Sequence, residues 1–364
     1  MICVVSVIDS ISVTSMPVNE FIIYRDKHKF NIKQKIIVCD TTIPQEINIP
    51  NNVEIYLVGK NIFEIRSAVK IINNQCQKKH DTVIYHLHHQ KSAMLFFLAT
   101  VYLKVKQYTL YTIHSTYKDR NFKYKITSCL CSLISNYVNC VSLSSFEVYN
   151  NTIKRIKGSK FLYIQNGVDV LRIESIINNQ SVKRKKKSLV YIGRMIPIKN
   201  HSFLIKLMKK LPDYEMIFIG QEDEKQYIRT LAKEEGVIDR IKFTGLISRE
   251  SVFCKLSESL IYVSPSLVEG MPISVLEAMY VGLVPILSDI EPHKEIARKC
   301  QEIRIRPLNL DVWANTIKEI SDINNENLDI EISKIRSSIY DQFSLDAMHQ
   351  DYLEIYNKIL KNKE

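Results

Sequence analysis

The feature that most constrains this chain is an alternation, sustained along nearly its whole length, of short β-rich runs with stretches patterned for helix. In the first half the runs fall at 2–8, 35–38, 53–58, 82–87, 108–113 and 161–164, with helical patterns over 62–76 and 91–104. In the second half they fall at 188–192, 215–219, 240–243, 260–263, 284–287 and 302–305, separated by helical patterns at 201–210, 223–235, 250–257, 274–281 and 311–321. Neighbouring parallel strands cannot be joined by a tight turn, so strands that alternate with helices imply parallel sheets with right-handed crossovers. The expected fold class is α/β, doubly wound.

The alternation breaks once. Asn166-Gly-Val-Asp169 is a turn signal, and a polar stretch at 178–187 follows it, containing Lys183-Arg-Lys-Lys-Lys187. A boundary there gives a first domain at 1–169, a linker at 170–187 and a second domain at 188–344. The last segment, 345–364, has Met348, Tyr352, Tyr356, Ile359 and Leu360 near helical spacing, which predicts an amphipathic helix that packs by its apolar face. Ligands of open α/β sheets bind beyond the carboxyl ends of the strands, so two such domains are expected to face each other across a cleft.

Composition narrows the class. With 364 residues and 46% apolar side chains there is material for two cores, which excludes a disordered chain. The longest strongly apolar stretch, 93–103, is far short of the roughly 18 residues a spanning helix needs. The N-terminal Met1-Ile-Cys-Val-Val-Ser-Val-Ile8 has no basic n-region and reads as a first strand rather than a signal peptide. Eight scattered cysteines, with no Cys-x-x-Cys and no zinc spacing, point to a reduced, cytoplasmic compartment.

Only nine glycines are present, where about 7% usage would give some 25. Five of them, Gly193, Gly220, Gly245, Gly270 and Gly282, fall at expected strand ends of the second half, where a backbone turns sharply or approaches a ligand. Gly193-Arg194 closes one strand and Lys199-Asn200 opens the next helix. Two cations beside a helix N-terminus suit a diphosphate, although the same residues also fit a solvated loop. Ser264-Pro-Ser-Leu-Val-Glu-Gly-Met-Pro-Ile-Ser-Val-Leu-Glu-Ala278 places Glu269 in a loop and Glu277 in the first turns of a helix. The N–H groups of Gly270, Met271, Ile273 and Ser274 can meet phosphate or sugar oxygens, and carboxylates suit pairs of hydroxyls. Glu277 could equally be a surface helix residue, and Glu269 an N-terminal helix charge.

This constellation resembles the nucleotide-sugar site of retaining glycosyltransferases of family 4, which have the GT-B fold of two Rossmann-like domains facing across a cleft, the C-terminal helix packing back toward the first. Glu269-x7-Glu277, with Gly270 and Pro272 between them, carries the resemblance. It is joined by Gly193-Arg194-x4-Lys199-Asn200, Phe243-Thr-Gly245, the hinge Asn166-Gly-Val-Asp169, and Gly282, Val284-Pro285 and Ser288 in order. The resemblance implies that Arg194 and Lys199 neutralise the donor diphosphate and that Glu277 holds the ribose. It implies also that Glu269 holds the donor sugar at the reacting centre and that Ile247 packs on the base. His114, at the end of the strand 108–113, matches the family's cleft histidine near the reacting centre. The loop 9–17 lacks the glycine pair that family members often carry there.

His86-x-His88-His89 has no acidic or cysteine partner nearby in sequence and reads as a strand-end structural or acceptor-side group rather than a metal set. No Asp-x-Asp occurs, so the resemblance implies no metal and no cofactor beyond the donor, with a UDP-sugar favoured over a GDP-sugar.

Residues 1–169 hold 21 Lys+Arg against 11 Asp+Glu, a net +10, whereas the remainder is +1. The densest patch, Tyr117-Lys-Asp-Arg-Asn-Phe-Lys-Tyr-Lys125, interleaves cations with aromatics. That pattern fits single-stranded nucleic acid, an anionic membrane surface, or plain solvated charge. The resemblance favours a polyprenyl-diphosphate-linked saccharide acceptor on the first domain, with Lys118, Arg120, Lys123 and Lys125 as the acceptor or membrane face. The implied protein moves a hexose or N-acetylhexosamine in bacterial surface polysaccharide assembly (O-antigen, capsule or exopolysaccharide), peripheral on the inner face of the cytoplasmic membrane. A nucleotide-sugar 2-epimerase of the same fold and a basic nucleic-acid-binding protein are the competing readings.

Overall fold

The computed structural model describes residues 2–11, 32–44, 53–103, 108–114, 116–117, 120–178, 184–221 and 225–361. They form two compact units, Met1–Asn166 with Met348–Glu364, and Gly167–Ala347.

The first unit holds a parallel sheet of seven strands in the order β3-β2-β1-β4-β5-β6-β7. These are β1 (Ile2–Ile8), β2 (Ile32–Val38), β3 (Glu54–Leu57), β4 (Thr82–His88), β5 (Tyr108–Ile113), β6 (Tyr137–Cys140) and β7 (Phe161–Tyr163). Central β1 reads as an almost unbroken apolar run because helices cover both faces of a parallel sheet, and Cys3 to Ile8 are all buried. β6 was not expected from sequence. Its four residues directly follow the helix Phe122–Ile134, and so short a run carries no periodicity of its own. The helix Leu345–Lys361 packs on this sheet, as the fold class implied. Tyr356 hydroxyl meets His86 Nδ1 at 2.8 Å and Asn139 donates to Tyr352 hydroxyl at 2.9 Å, which satisfies two phenols the core has buried.

The second unit holds six parallel strands in the order β10-β9-β8-β11-β12-β13. They are β8 (Lys185–Ile192), β9 (Glu215–Ile219), β10 (Ile241–Phe243), β11 (Ser259–Ser264), β12 (Val284–Ser288) and β13 (Arg304–Arg306). Much of 170–187, expected as linker, is ordered. Asp169 caps the helix Val170–Ile177 by accepting from Arg172 N at 3.1 Å, and β8 already begins at Lys185, with Lys185 and Lys187 exposed and Lys186 half-buried between them.

In each sheet the chain grows outward in one direction and then returns to grow in the other. The reversal lies between β1 and β4 in the first sheet and between β8 and β11 in the second. Diverging loops leave a crevice at the carboxyl ends of such a strand pair, so these two points are where ligand chemistry is expected.

Candidate active site

At the reversal point of the second sheet the backbone is shaped by glycine. Gly193 N–H donates to Ile219 O at 2.9 Å and Gly220 N–H to Gly245 O at 3.0 Å, so the ends of β8, β9 and β10 touch. A Cβ on Gly220 would lie 2.4 Å from Gly193 O, and one on Gly193 would lie 2.7 Å from the Tyr191 hydroxyl. Only glycine fits here. Gly282 has a different job from the one its position in sequence implied. With φ +100° it ends the helix Ile273–Val281, its N–H reaching Ala278 O and Met279 O, and Arg184 fills the space beside it.

The loop after β8 carries Arg194 and Lys199, and the loop after β11 carries Glu269. Lys199 Nζ lies 2.5 Å from Glu269 Oε1, and both side chains are mostly buried. The two loops are also pinned by Leu267 N–H to Ile198 O at 2.8 Å and by Asn200 Nδ2 to Pro265 O at 3.3 Å. Lys199 is thus a cation held in place by a carboxylate at the mouth of the crevice. Arg194 is exposed and no described carboxylate pairs with it.

Glu277 lies on the second turn of the helix Ile273–Val281 and is buried, with Arg249 forming a fork onto both carboxylate oxygens. Arg249 sits in the first turn of the helix Arg249–Ser257, whose N-cap is Ser248. Ile247 is half-buried just before that cap. Gly270, Met271, Ile273 and Ser274 line the run into the Glu277 helix, Met271 buried and the others half-buried. The leading N–H groups of a helix have no partner within it, so this end offers donors to an anion. Ser274 Oγ accepts from the Tyr262 hydroxyl at 2.9 Å, which fixes its rotamer.

Three residues here had no motif to announce them. Arg249 is visible in sequence only as one cation in a helix start. Tyr191 is fully buried beneath Gly193, and its phenol is kept un-ionised by burial first and by the Glu269 charge second, while Ser266 bonds to it. His293 is fully buried, with Nδ1 3.0 Å from Ser288 O. Burial holds its pKa down to about 4; the nearby Glu269 charge resists that shift and Lys199 adds to it.

The reversal point of the first sheet is built from imidazoles. His88 Nδ1 and His114 Nε2 lie 3.1 Å apart and share a hydrogen bond, with the His89 ring 4.9 Å from that of His114. Burial holds all three below the usual histidine range; neighbouring rings add to this for His88 and His114, while Asp9 offsets it for His89. His114 is therefore neutral and can offer Nδ1 to a ligand. His89 adopts φ +68°, a conformation β-carbon residues avoid unless the surroundings impose it. Asp9, at the end of β1, accepts from Ser92 N at 2.8 Å and caps the helix Gln90–Thr100. His86 is set apart by its bonding. Both its nitrogens are taken, by Tyr356 hydroxyl and Thr112 Oγ1, so it is a structural strut.

Beside this cluster lies a cavity of about 840 Å³ whose lining includes Lys60, Lys91, Lys123, Met94, Leu95 and Tyr124. Lys123 thus faces a cavity. Arg120 lies over the Tyr124 ring at 5.2 Å and Lys125 over Tyr117 at 5.6 Å. Lys118 lies outside the described residues, as do positions 12–17 of the loop 9–17.

Residues 173–333 match the family model described as glycosyl transferases group 1, a span inside the second unit. The capsular polysaccharide biosynthesis glycosyltransferase CapH of Staphylococcus aureus is 26% identical over 216 residues, 56% of this chain and 57% of that protein. This chain therefore aligns with under two thirds of CapH. The UDP-Gal:alpha-D-GlcNAc-diphosphoundecaprenol alpha-1,3-galactosyltransferase of Escherichia coli is 23% identical over 352 residues, 90% of this chain and 89% of that one. Sucrose-phosphate synthase of Thermosynechococcus elongatus superposes with a TM-score of 0.77 at 15% identity, over 100% of both chains. The fold is the two-domain, Rossmann-like GT-B fold, and the match to glycosyl transferases group 1 falls within the second unit.

Proposed function

We propose that the protein is a retaining glycosyltransferase that moves a hexose or N-acetylhexosamine from a nucleoside-diphosphate sugar to a lipid-linked saccharide in bacterial surface polysaccharide assembly. The observation that carries this is the convergence of Lys199, Glu269, Glu277 and exposed Arg194 around one reversal point of the second sheet, within the matched domain. In the reaction the bond from the anomeric carbon to the diphosphate breaks. A bond from the acceptor hydroxyl forms on the same face, and the acceptor's proton passes to the departing diphosphate oxygen. Arg194, Lys199 and the N–H groups of Gly270, Met271, Ile273 and Ser274 meet the charge that develops on the diphosphate. Their cations suffice for that charge in this reading, so no metal is assigned a role. Glu277 holds the ribose, Ile247 packs on the base, Glu269 orients the donor sugar, and His114 is assigned to positioning the reacting groups.

The acceptor reading draws on the E. coli relative, whose name specifies a diphosphoundecaprenol-linked saccharide. The UDP-Gal in that name supports a UDP-sugar as donor, and in this reading the work is done at the inner face of the cytoplasmic membrane. Relatives named as glycosyltransferases weigh against a 2-epimerase and against a nucleic-acid-binding protein. The test is a thermal-shift and hydrolysis screen over UDP- and GDP-hexoses and N-acetylhexosamines. One donor should stabilise the protein, and Lys199→Ala and Glu277→Ala should each abolish that shift. If no nucleotide sugar binds, the reading fails.

A further inference from the structure

The fork between Arg249 and Glu277 joins two helices that are already held together without it. Arg249 bonds through both terminal nitrogens, Nη1 to Glu277 Oε2 at 3.3 Å and Nη2 to Oε1, and the two side chains are only 11% and 5% exposed. The guanidinium also lies over the Phe253 ring at 4.8 Å, one turn along its own helix. The helices Arg249–Ser257 and Ile273–Val281 pack on each other and on the helix Val170–Ile177. That third helix anchors both: Arg172 bonds Glu250 at 2.9 Å, and the Tyr280 hydroxyl donates to Glu174 at 2.6 Å. At the end of the Glu277 helix, Arg336 Nε donates to Tyr280 O at 2.8 Å and Arg184 donates to the carbonyls of Val281 and Gly282.

Taking two charges out of water costs about as much as their attraction recovers, so an apolar pair of similar size would join the helices equally well. Packing therefore does not account for the fork. A carboxylate kept ready for a ligand does. Each carboxylate oxygen has two lone pairs. The fork takes one from each oxygen and leaves one on each, so it fixes the plane of the Glu277 carboxylate and still leaves it acceptors. Without the guanidinium, the carboxylate would be a buried charge with nothing to balance it, and its terminal torsion would be broad. Lys199 holds Glu269 through a single nitrogen, whereas two parallel bonds to a planar guanidinium are a stiffer and more directional hold.

We infer that Arg249 is a positioning residue for nucleotide selection: it aims the Glu277 carboxylate so that the protein prefers a ribonucleotide, through its 2′-hydroxyl, over the 2′-deoxy form. The inference rests on the assignment of Glu277 to the ribose in the proposed function. Arg249 acts here only through Glu277 and touches no ligand.

The test is calorimetric affinity of the full chain for UDP and for GDP, each against its 2′-deoxy counterpart. The unaltered protein should prefer the ribonucleotide by about tenfold to a hundredfold, the usual effect of one hydrogen bond to a charged acceptor. Glu277→Ala should abolish that preference. Arg249→Lys keeps the charge and loses the fork, and should cut the preference at least about threefold. Arg249→Ala should cut it further, and Arg249→Ala/Glu277→Ala should match Glu277→Ala alone, because the two residues act as one unit. Thermal melts verify that each variant is folded, and Arg249→Lys carries the test if Arg249→Ala unfolds. An unchanged preference in the folded Arg249 variants, including one where both forms bind equally more weakly, would overturn the inference and leave Glu277 on the ribose. No preference in the unaltered protein, or one that survives Glu277→Ala, would remove the ribose assignment and the inference with it. If neither nucleotide binds the unaltered protein, the proposed function itself fails.

Discussion

The two sheets reverse direction in the same way, yet their crevices are furnished with opposite chemistry. That of the second sheet holds pre-paired charges, Lys199 with Glu269 and Arg249 with Glu277. That of the first sheet holds imidazoles that burial keeps uncharged, His88, His89 and His114, beside Asp9, a carboxylate engaged in capping a helix. Charge pairs can exchange partners when a polyanion arrives, whereas neutral rings contribute hydrogen bonds without attracting one. In the proposed reading the paired charges of the second sheet serve donor binding, and the neutral rings of the first sheet serve hydrogen bonding without attracting a polyanion.

The sharpest way to break this comparison is to delete one charge. Lys199→Ala should lower kcat/KM by about 10² to 10³, the usual consequence of losing a donor to a developing anion. Much of the loss should be in donor affinity, read by calorimetry. Glu269→Gln should leave nucleotide affinity closer to normal and lower turnover, because the proposed reading assigns it to the sugar. Equal loss of bare UDP affinity in both variants would show that the pair works only as a structural clasp.

His114→Ala tests the crevice of the first sheet. It should slow transfer by about 10²-fold, at the low end for a positioned imidazole, with donor affinity unchanged. A variant that bound donor poorly would move His114 out of the positioning role and dissolve the contrast between the two crevices.

How far the sequence revealed these crevices follows from the kind of signal each residue leaves. Glycines that must turn or touch backbone, and glutamates at a fixed spacing across a helix start, are visible because short-range geometry dictates them. Gly193, Gly220, Glu269 and Glu277 are of this kind. Arg249, Tyr191 and His293 come to the site from three separate segments, and only the tertiary fold brings them there; each looks like an ordinary residue in its own stretch. Gly282 shows the converse error, since a glycine after an apolar run marks a helix end as readily as a strand end. The helices 122–134 and 325–343 were unmarked because their patterns are diluted. The first exposes apolar residues, and the second is a long surface helix with few buried positions.

The fork between Arg249 and Glu277 gives a stability counterpart. Both side chains are nearly buried, so Arg249→Ala strands a carboxylate and should cost about 3 kcal/mol. The double variant Arg249→Ala/Glu277→Ala should cost less than Arg249→Ala alone, as measured by urea denaturation. Additive losses would mean that the two charges are independently solvated rather than paired.

The smallest expected effect separates the two kinds of histidine. His293 and His201 are held to about 4, and an unfolded histidine titrates near 6.5, so the unfolded chain binds more protons between those values. Stability should therefore be level above about pH 7, fall as pH drops through 6.5, and level off again for these groups below about 4. Each contributes about 2 kcal/mol of that fall by pH 5. His293→Gln removes one titrating group, so its curve should be shallower over the same range even though the variant starts lower for want of the bond to Ser288 O. The rings of the first sheet share a hydrogen bond between His88 and His114, so protonating one requires losing an acceptor the other uses. Replacing either should flatten the curve by more than a single group's share. If His114→Asn changed the slope no more than His293→Gln does, the imidazoles of the first crevice would titrate independently, and their neutrality would come from burial alone rather than from each other.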